Sequence, residues 1–184
     1  MKRLFIAVDL SGNQEVNKIY SEIKRRLINN KIRWVKPQNM HLTLKFLGST
    51  PSDKVDNIIE ITKQTVGKFK KTELLISQIG LFGSSYKPRV IWLGFEENKT
   101  LSELAEALKN DFIPLGFPYD RQNFVPHLTF GRINKIESKQ YFQSVLDDYK
   151  KLDFSPIQIN SIFLYESVLY KEGPEYRVLK EFRF

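Results

Sequence analysis

The chain holds two histidines, His41 and His127, and no cysteine. Each histidine opens the same short pattern: His41-Leu42-Thr43-Leu44 and, 86 residues later, His127-Leu128-Thr129-Phe130. With the chain's own Leu and Thr frequencies, both histidines precede Leu-Thr by chance in roughly 1 case in 50,000, a small false-positive risk for a short motif. On a strand, residues i and i+2 share one face. The His and Thr of each copy therefore stand side by side, about 7 Å apart along the backbone, with the apolar pair turned to the other face. A hydroxyl donates a hydrogen bond to a non-bridging phosphate oxygen without adding charge. An imidazole, with an unperturbed pKa of about 6.5, moves a proton at neutral pH. Two such pairs suit one phosphodiester: a neutral histidine acts as general base while the other, protonated, acts as general acid on the departing oxygen. In-line displacement wants the two on opposite sides of phosphorus. The spacing does not say which histidine takes which part.

Other chemistries fit less well. A lone histidine on a half-buried strand is usually a structural hydrogen-bonding residue. Packing, however, has no reason to demand the same tetrapeptide twice. A zinc site would need Asp or Glu to complete it, and neither HExxH nor a carboxylate spacing accompanies either motif. A Ser-His-Asp hydrolase lacks its G-x-S-x-G elbow and has no use for the duplicate. Zero cysteines remove a disulfide scaffold, a thiolate metal site and a cysteine nucleophile together. No metal and no cofactor is expected.

The elements that must present these residues follow from periodicity. Leu4 to Asp9 reads as a strand ending at the Ser11-Gly12 turn signal, and Val16, Ile19, Tyr20, Ile23 and Leu27 recur at helical spacing over 13–29. Met40 to Leu47 reads as a strand. Pro51 and Ser52 open a second helix, with Val55, Ile58, Ile59, Thr62 and Val66 on its buried stripe. Glu73 to Leu81 and Arg89 to Phe95 read as strands joined by the turn Gly83 to Lys87. A third helix capped by Thr100 buries Leu101, Leu104, Ala105 and Leu108. Beyond it come a strand at His127 to Ile133, a helix at 137–149, and strands at 153–165 and 175–184. The last two, joined by Lys171 to Pro174, must pair antiparallel. The class is α+β, and the repeated motif suggests two lobes with one copy each.

Composition sets the setting. The 184 residues, 41% apolar, can bury a proper core. The apolar run after Met1-Lys2-Arg3 ends at Asp9, too short for a signal peptide or a membrane span, so a soluble, intracellular protein is expected. A net charge of +8 favours a polyanionic partner, nucleic acid ahead of a membrane surface, with solubility as the bland alternative.

At these residues the sequence resembles the two-histidine (2H) phosphoesterase superfamily and, within it, the RNA 2′,3′-cyclic phosphodiesterases of the LigT or ThpR family, once called 2′-5′ RNA ligases. Arg3-Leu4-Phe5-Ile6-Ala7 is similar to the opening strand. Arg33-Trp34-Val35 with His41 to Gly48 is similar to the first motif block, Pro88 to Leu93 to the central strand, and Pro126 to Arg132 to the second block. Tyr165-Glu166-Ser167 through Gly173, Tyr176, Leu179 and Phe182 resembles the closing hairpin. Phe130-Gly131 departs from the family, which more often has Leu-Ala there. The resemblance implies one bilobal domain over 1–184 with pseudo-two-fold symmetry: two antiparallel sheets flanked by helices, and the active cleft between them. It implies metal-independent opening of a terminal RNA 2′,3′-cyclic phosphate to a 2′-phosphate in the cytoplasm, with weak reverse 2′-5′ ligation. It makes His41 the proton donor and His127 the acceptor, with Thr43 and Thr129 on the non-bridging oxygens.

Two cations are candidates for the phosphate. Arg132 is five residues past His127, so strict alternation puts it on the wrong face unless the strand bends at Gly131. Lys45, four past His41, falls on the histidine's face. Phe5, Phe46, Trp34 and Trp92 are candidates for stacking on a base. The expected partners are RNA ends or nucleotides bearing a 2′,3′-cyclic phosphate, with no membrane and no obligatory protein partner. The alternatives are a single-stranded RNA-binding module without turnover, and a 2H enzyme acting on 2′-5′ oligonucleotides or small cyclic nucleotides.

Overall fold

The computed structural model describes residues 1–84, 86–119, 123–150 and 154–184. In chain order the elements are β1 (Lys2–Asp9), α1 (Gln14–Arg26), β2 (Lys31–Trp34), β3 (His41–Thr50), α2 (Val55–Val66), β4 (Thr72–Leu74), β5 (Ile76–Gly83), β6 (Pro88–Phe95), α3 (Lys99–Asp111), β7 (His127–Lys135), α4 (Lys139–Asp147), β8 (Ile157–Ile159), β9 (Ser161–Tyr170) and β10 (Gly173–Arg183). A shift of 86 residues, from His41 to His127, carries β1 onto β6, α1 onto α3, β3 onto β7, α2 onto α4, β4 onto β8 and β5 onto β9. The duplication that one tetrapeptide suggested extends to nearly every element.

The α+β class is as expected, and so are the two antiparallel lobes. One arm is β10-β9-β1-β3, and the other is β7-β6-β5 with β2 on the far part of β7. The arms meet where β3 touches β7, and β4 and β8 form a separate two-stranded antiparallel sheet. The halves exchange an equivalent strand: β5 of the first pairs with β6, and its counterpart β9 of the second pairs with β1.

Both arms bury the same kind of face. Leu4, Ile6, Leu42, Leu44, Ile91, Leu93, Leu128 and Phe130 point into one core with the apolar stripes of all four helices. A smaller cluster of Phe5, Ala7 and Tyr165 lies apart, bordered by Phe163 and Tyr176. Three of the four α-helices start where side chains cap them: Asn13, Asn98 and Ser138 accept from the backbone N–H groups of Val16, Leu101 and Tyr141, whereas α2 has no side-chain cap. The third helix is thus capped by Asn98, not Thr100. Its amide oxygen reaches the N3 amide, which is the bond that ends the fraying of the first turn.

Three further boundaries differ from the sequence expectation. Glu73 to Leu81 is two strands in two sheets, β4 and β5. The 153–165 segment is likewise β8 and β9, with residue 153 outside the described residues. β2, only four residues with an alternating surface pattern, gave no periodic signal and forms because β7 offers it an edge. Ser85, inside the expected Gly83 to Lys87 turn, also lies outside the described residues. Among the described residues no helix is long and apolar enough to cross a membrane.

Candidate active site

The ladder joins the two arms at the residue pair Leu42 with Leu128, antiparallel and fully buried. In that register His41 falls opposite Thr129, and Thr43 opposite His127. All four side chains leave the sheet on the face away from the core, because their neighbours Leu42, Leu44, Leu128 and Phe130 occupy the other. The two histidines become diagonal neighbours, about 7–8 Å apart at the backbone. That is a span a phosphate can bridge, with an imidazole at each end and a hydroxyl beside each imidazole.

The rings are oriented by the backbone just before them. His41 Nδ1 lies 2.7 Å from the Asn39 carbonyl oxygen, and His127 Nδ1 lies 2.7 Å from that of Val125. A carbonyl only accepts, so each Nδ1 carries a proton and each Nε2 is left for a ligand. Asn39 is itself held, its side-chain amide donating to Pro174 O at the start of β10, 2.8 Å away. The anchors fix the tautomer of each ring.

Each imidazole has aromatic walls. Phe5 lies 4.8 Å from His41 centroid to centroid, and Tyr176 meets it edge-on at 5.1 Å. Phe82 meets His127 edge-on at 4.9 Å, with Trp92 at 6.2 Å. Trp92 lies flat over two glycines: a Cβ at Gly80 would collide with its ring, and one at Gly94 would come within 2.6 Å of it. Burial among these walls pushes the His41 pKa below 6.5; the Asn39 carbonyl and Asp9 oppose that, and the charge of His127 adds to it. Burial also raises the Tyr165 and Tyr176 phenols. No three His, Asp or Glu side chains gather to hold a metal ion among the described residues.

The fourth residue of each motif decides where the later candidates go. Ile6 pairs with Lys45 but Ala7 pairs with Thr43, so Leu44 is extra; Ile91 pairs with Gly131 but Trp92 pairs with Thr129, so Phe130 is extra. Each bulge reverses the alternation beyond it. Arg132 is thereby brought onto the face of His127 and Thr129, and its charge is felt at Tyr176 beside His41. Lys45 goes the other way. Contrary to the alternation argument, it points to the core side, only 5% exposed, its amine donating to Pro118 O at 3.4 Å.

The same reversal lifts Phe46 onto the histidine face, 65% exposed and 5.9 Å from Phe5. Of the four stacking candidates Phe46 is the exposed one, Trp34 and Trp92 being half-buried and Phe5 buried. Phe5 and Trp92 wall the histidines, and Trp34 turns to the core to pack edge-on against Tyr20. Sequence reasoning missed Phe82, Asp9 and the part played by Tyr176. All three sit on strands that reach the site only through the sheet pairing. The bulge itself had a signal: the apolar step from Leu44 to Leu47 breaks a period of two.

Known proteins share both the sequence pattern and the architecture. The model of the family described as LigT like Phosphoesterase matches the chain twice, over residues 7–92 and 93–176, one match for each half. An RNA 2′,3′-cyclic phosphodiesterase of Thermotoga maritima is 37% identical over 99% of this chain and 95% of its own. One of Methanocaldococcus jannaschii is 33% identical over 97% and 99%. Among solved structures, TT0787 of Thermus thermophilus superposes with a TM-score of 0.78 at 24% identity, covering 98% of this chain and 97% of that one. Apo LigT of Escherichia coli superposes with a TM-score of 0.75 at 23% identity, covering 99% and 96%.

Proposed function

The chain belongs to the LigT-like phosphoesterase family, and on that premise we propose that it opens the 2′,3′-cyclic phosphate at the end of an RNA chain to a 2′-phosphate. The observation that carries this is the pair of carbonyl-anchored imidazoles, diagonal across Leu42 and Leu128, each with a threonine beside it. The relatives named RNA 2′,3′-cyclic phosphodiesterase support the substrate.

In the hydrolytic direction His127 Nε2 takes a proton from water, whose oxygen bonds to phosphorus. The bond from phosphorus to the 3′ oxygen breaks, and His41 Nε2 delivers the proton that the leaving oxygen needs. Thr43 and Thr129 donate to the non-bridging oxygens, and the Arg132 guanidinium opposes the charge that builds on them. Burial makes His41 reluctant to hold its proton in the free protein. The phosphate anion of the substrate counters that, so binding loads the acid, and a depressed pKa makes it a ready donor. With a 5′ hydroxyl in place of water, the same site joins two RNA ends through a 2′-5′ linkage. The exposed Phe46 is the residue proposed to stack on the terminal base. No step needs a metal or a cofactor.

The test is turnover of a 2′,3′-cyclic mononucleotide and an oligonucleotide in excess EDTA, with the product resolved as 2′- or 3′-phosphate. The expected result is 2′-phosphate at an undiminished rate. A 3′-phosphate product reverses which oxygen leaves. Loss in EDTA with recovery on zinc or manganese transfers the chemistry to a metal. Binding of RNA without turnover leaves an RNA-binding module.

A further inference from the structure

We propose that Arg33, opposite Arg132 on the neighbouring strand, binds the phosphodiester next to the terminal cyclic phosphate, so that the site selects an RNA strand over a mononucleotide. The assignment rests on the function proposed above and names the substrate feature it reads.

Arg33 pairs with Arg132 in the ladder between β2 and β7. Residues directly opposed in an antiparallel pair project from the same face. Trp34, the next residue, turns beneath the sheet onto Tyr20, so Arg33 rises with Arg132 on the side of His127 and Thr129. Both arginines are exposed. Gly131 sets how close the strands lie: a Cβ there would come within 2.8 Å of Ile32 and 3.1 Å of the Arg33 carbonyl oxygen.

Two like charges directly opposed on a ladder repel. Three other arginines have carboxylates at hand: half-buried Arg26 with Asp148 at 2.6 Å, and exposed Arg177 with Glu175 at 2.9 Å and Arg183 with Glu181 at 3.2 Å. Arg3, Arg25 and Arg89 are exposed without one among the described residues. Among the described residues neither Arg33 nor Arg132 has an ion pair or a hydrogen bond of its side chain. Arg3 adds a third charge, since Arg3 and Arg132 both act on the Tyr176 phenol beside His41. The cations that the ladder itself sets side by side on this face are Arg132 and Arg33; Arg3 lies towards the far end of β1, opposite Ser49. One cyclic phosphate, held by two His-Thr pairs, engages Arg132. Arg33 lies beside Arg132 on β2, which follows β3 along the same edge of β7, where the next anion of a chain would fall. A phosphodiester suits it, because a guanidinium fork binds two phosphate oxygens at once.

Three probes test this: cytidine 2′,3′-cyclic phosphate, a dinucleotide ending in the same group, and that dinucleotide with a neutral methylphosphonate linkage. Wild-type protein is expected to prefer the charged dinucleotide in kcat/KM, and Arg33→Ala to cut that preference about 10-fold. The methylphosphonate probe is expected to lose the preference in wild type and to be indifferent to the variant. Arg33→Lys should fall between, keeping the charge but not the fork. A fluorescence titration with the 2′-phosphate-ended dinucleotide reads the same contact without turnover.

If wild type opens neither cyclic substrate, the proposed function fails, and the titration still decides Arg33. An equal preference in wild type and Arg33→Ala, by kinetics and by titration, overturns the proposal. So does an equal loss on mononucleotide and dinucleotide, which would place Arg33 at the cyclic phosphate itself. Removing a repelling charge should leave the melting temperature at or above that of wild type, so a folding defect would not be mistaken for lost affinity.

Discussion

Replacing His41 or His127 by Ala should each lower turnover by about 10²–10⁴, the usual worth of a general acid or base. The double variant should fall little below the worse single one, since the acid and the base act together in one displacement. Near-wild-type activity in either single variant would end the paired mechanism. Thr43→Ala and Thr129→Ala should cost less, because one hydrogen bond to a charged group contributes about 1.5–3 kcal/mol. The pH profile adds a separate check. Burial depresses His41, so the bell in kcat/KM should have one limb below the ordinary imidazole value of 6.5. The same shift bears on stability. The unfolded chain takes up the His41 proton more readily than the folded one, so this contribution is complete above about pH 6.5 and is lost as pH falls towards the depressed value. Thermal melts of His41→Gln against wild type should converge as pH drops through that window. A gap that widens instead would mean His41 is not held neutral by its walls.

At the scale of elements, the site depends on two bulges and a floor of glycines. The bulges at Leu44 and Phe130 reverse the alternation of β3 and β7, exposing Phe46 and aiming Arg132. Gly131→Ala places a Cβ 2.8 Å from Ile32 Cγ2, so β2 must back away and Arg132 lose its aim. We expect about 1–3 kcal/mol of destabilisation from overpacking and a fall in kcat/KM for RNA ends. Gly80→Ala drives a methyl into the Trp92 ring and should tilt it out of the His127 wall at a similar cost. Indole fluorescence and a chemical-denaturation curve report both effects. If Gly80→Ala leaves stability and emission unchanged, the indole is not seated as described. The sequence made the strands legible but not the bulges' consequence for Lys45. Period-two reasoning holds only while the ladder is regular, and one extra residue in β3 exchanges the faces of Lys45 and Phe46 until a second extra residue, Leu47, restores them.

For the whole molecule, the strand exchange decides how it unfolds. β9 pairs with β1 and β5 with β6, so neither sequence half owns a complete arm. We propose that residues 1–184 act as one domain and expect a single calorimetric transition whose van't Hoff and calorimetric enthalpies agree. Two resolved transitions would mean that the lobes fold separately. Removing β9 and β10 should abolish activity outright, because it strips Tyr176 from His41 and frees the β1 edge. Binding of an RNA oligonucleotide should weaken steadily with salt as phosphate contacts release counterions, whereas turnover of a cyclic mononucleotide should respond much less. Salt-independent RNA binding would leave the +8 charge serving solubility alone.

Residue identity and spacing alone pointed to the proposed chemistry and determined the α+β class and the duplication. His-x-Thr on a strand places imidazole and hydroxyl on one face wherever the strand lies, and two copies in a chain without other histidines need no fold to be noticed. The helices were equally legible, since a stripe at helical spacing has one way to be buried. The tertiary structure decided everything that depends on which strands meet. It set His41 opposite Thr129 and Thr43 opposite His127 through the Leu42–Leu128 pair. It brought Phe82, Tyr176 and Asp9 to the histidines, sent Lys45 to the core side, and set Arg33 beside Arg132. Strand pairing joins residues far apart in sequence through backbone hydrogen bonds that any side chain can make, so its register is written in the assembled sheet and not in any local run of residues.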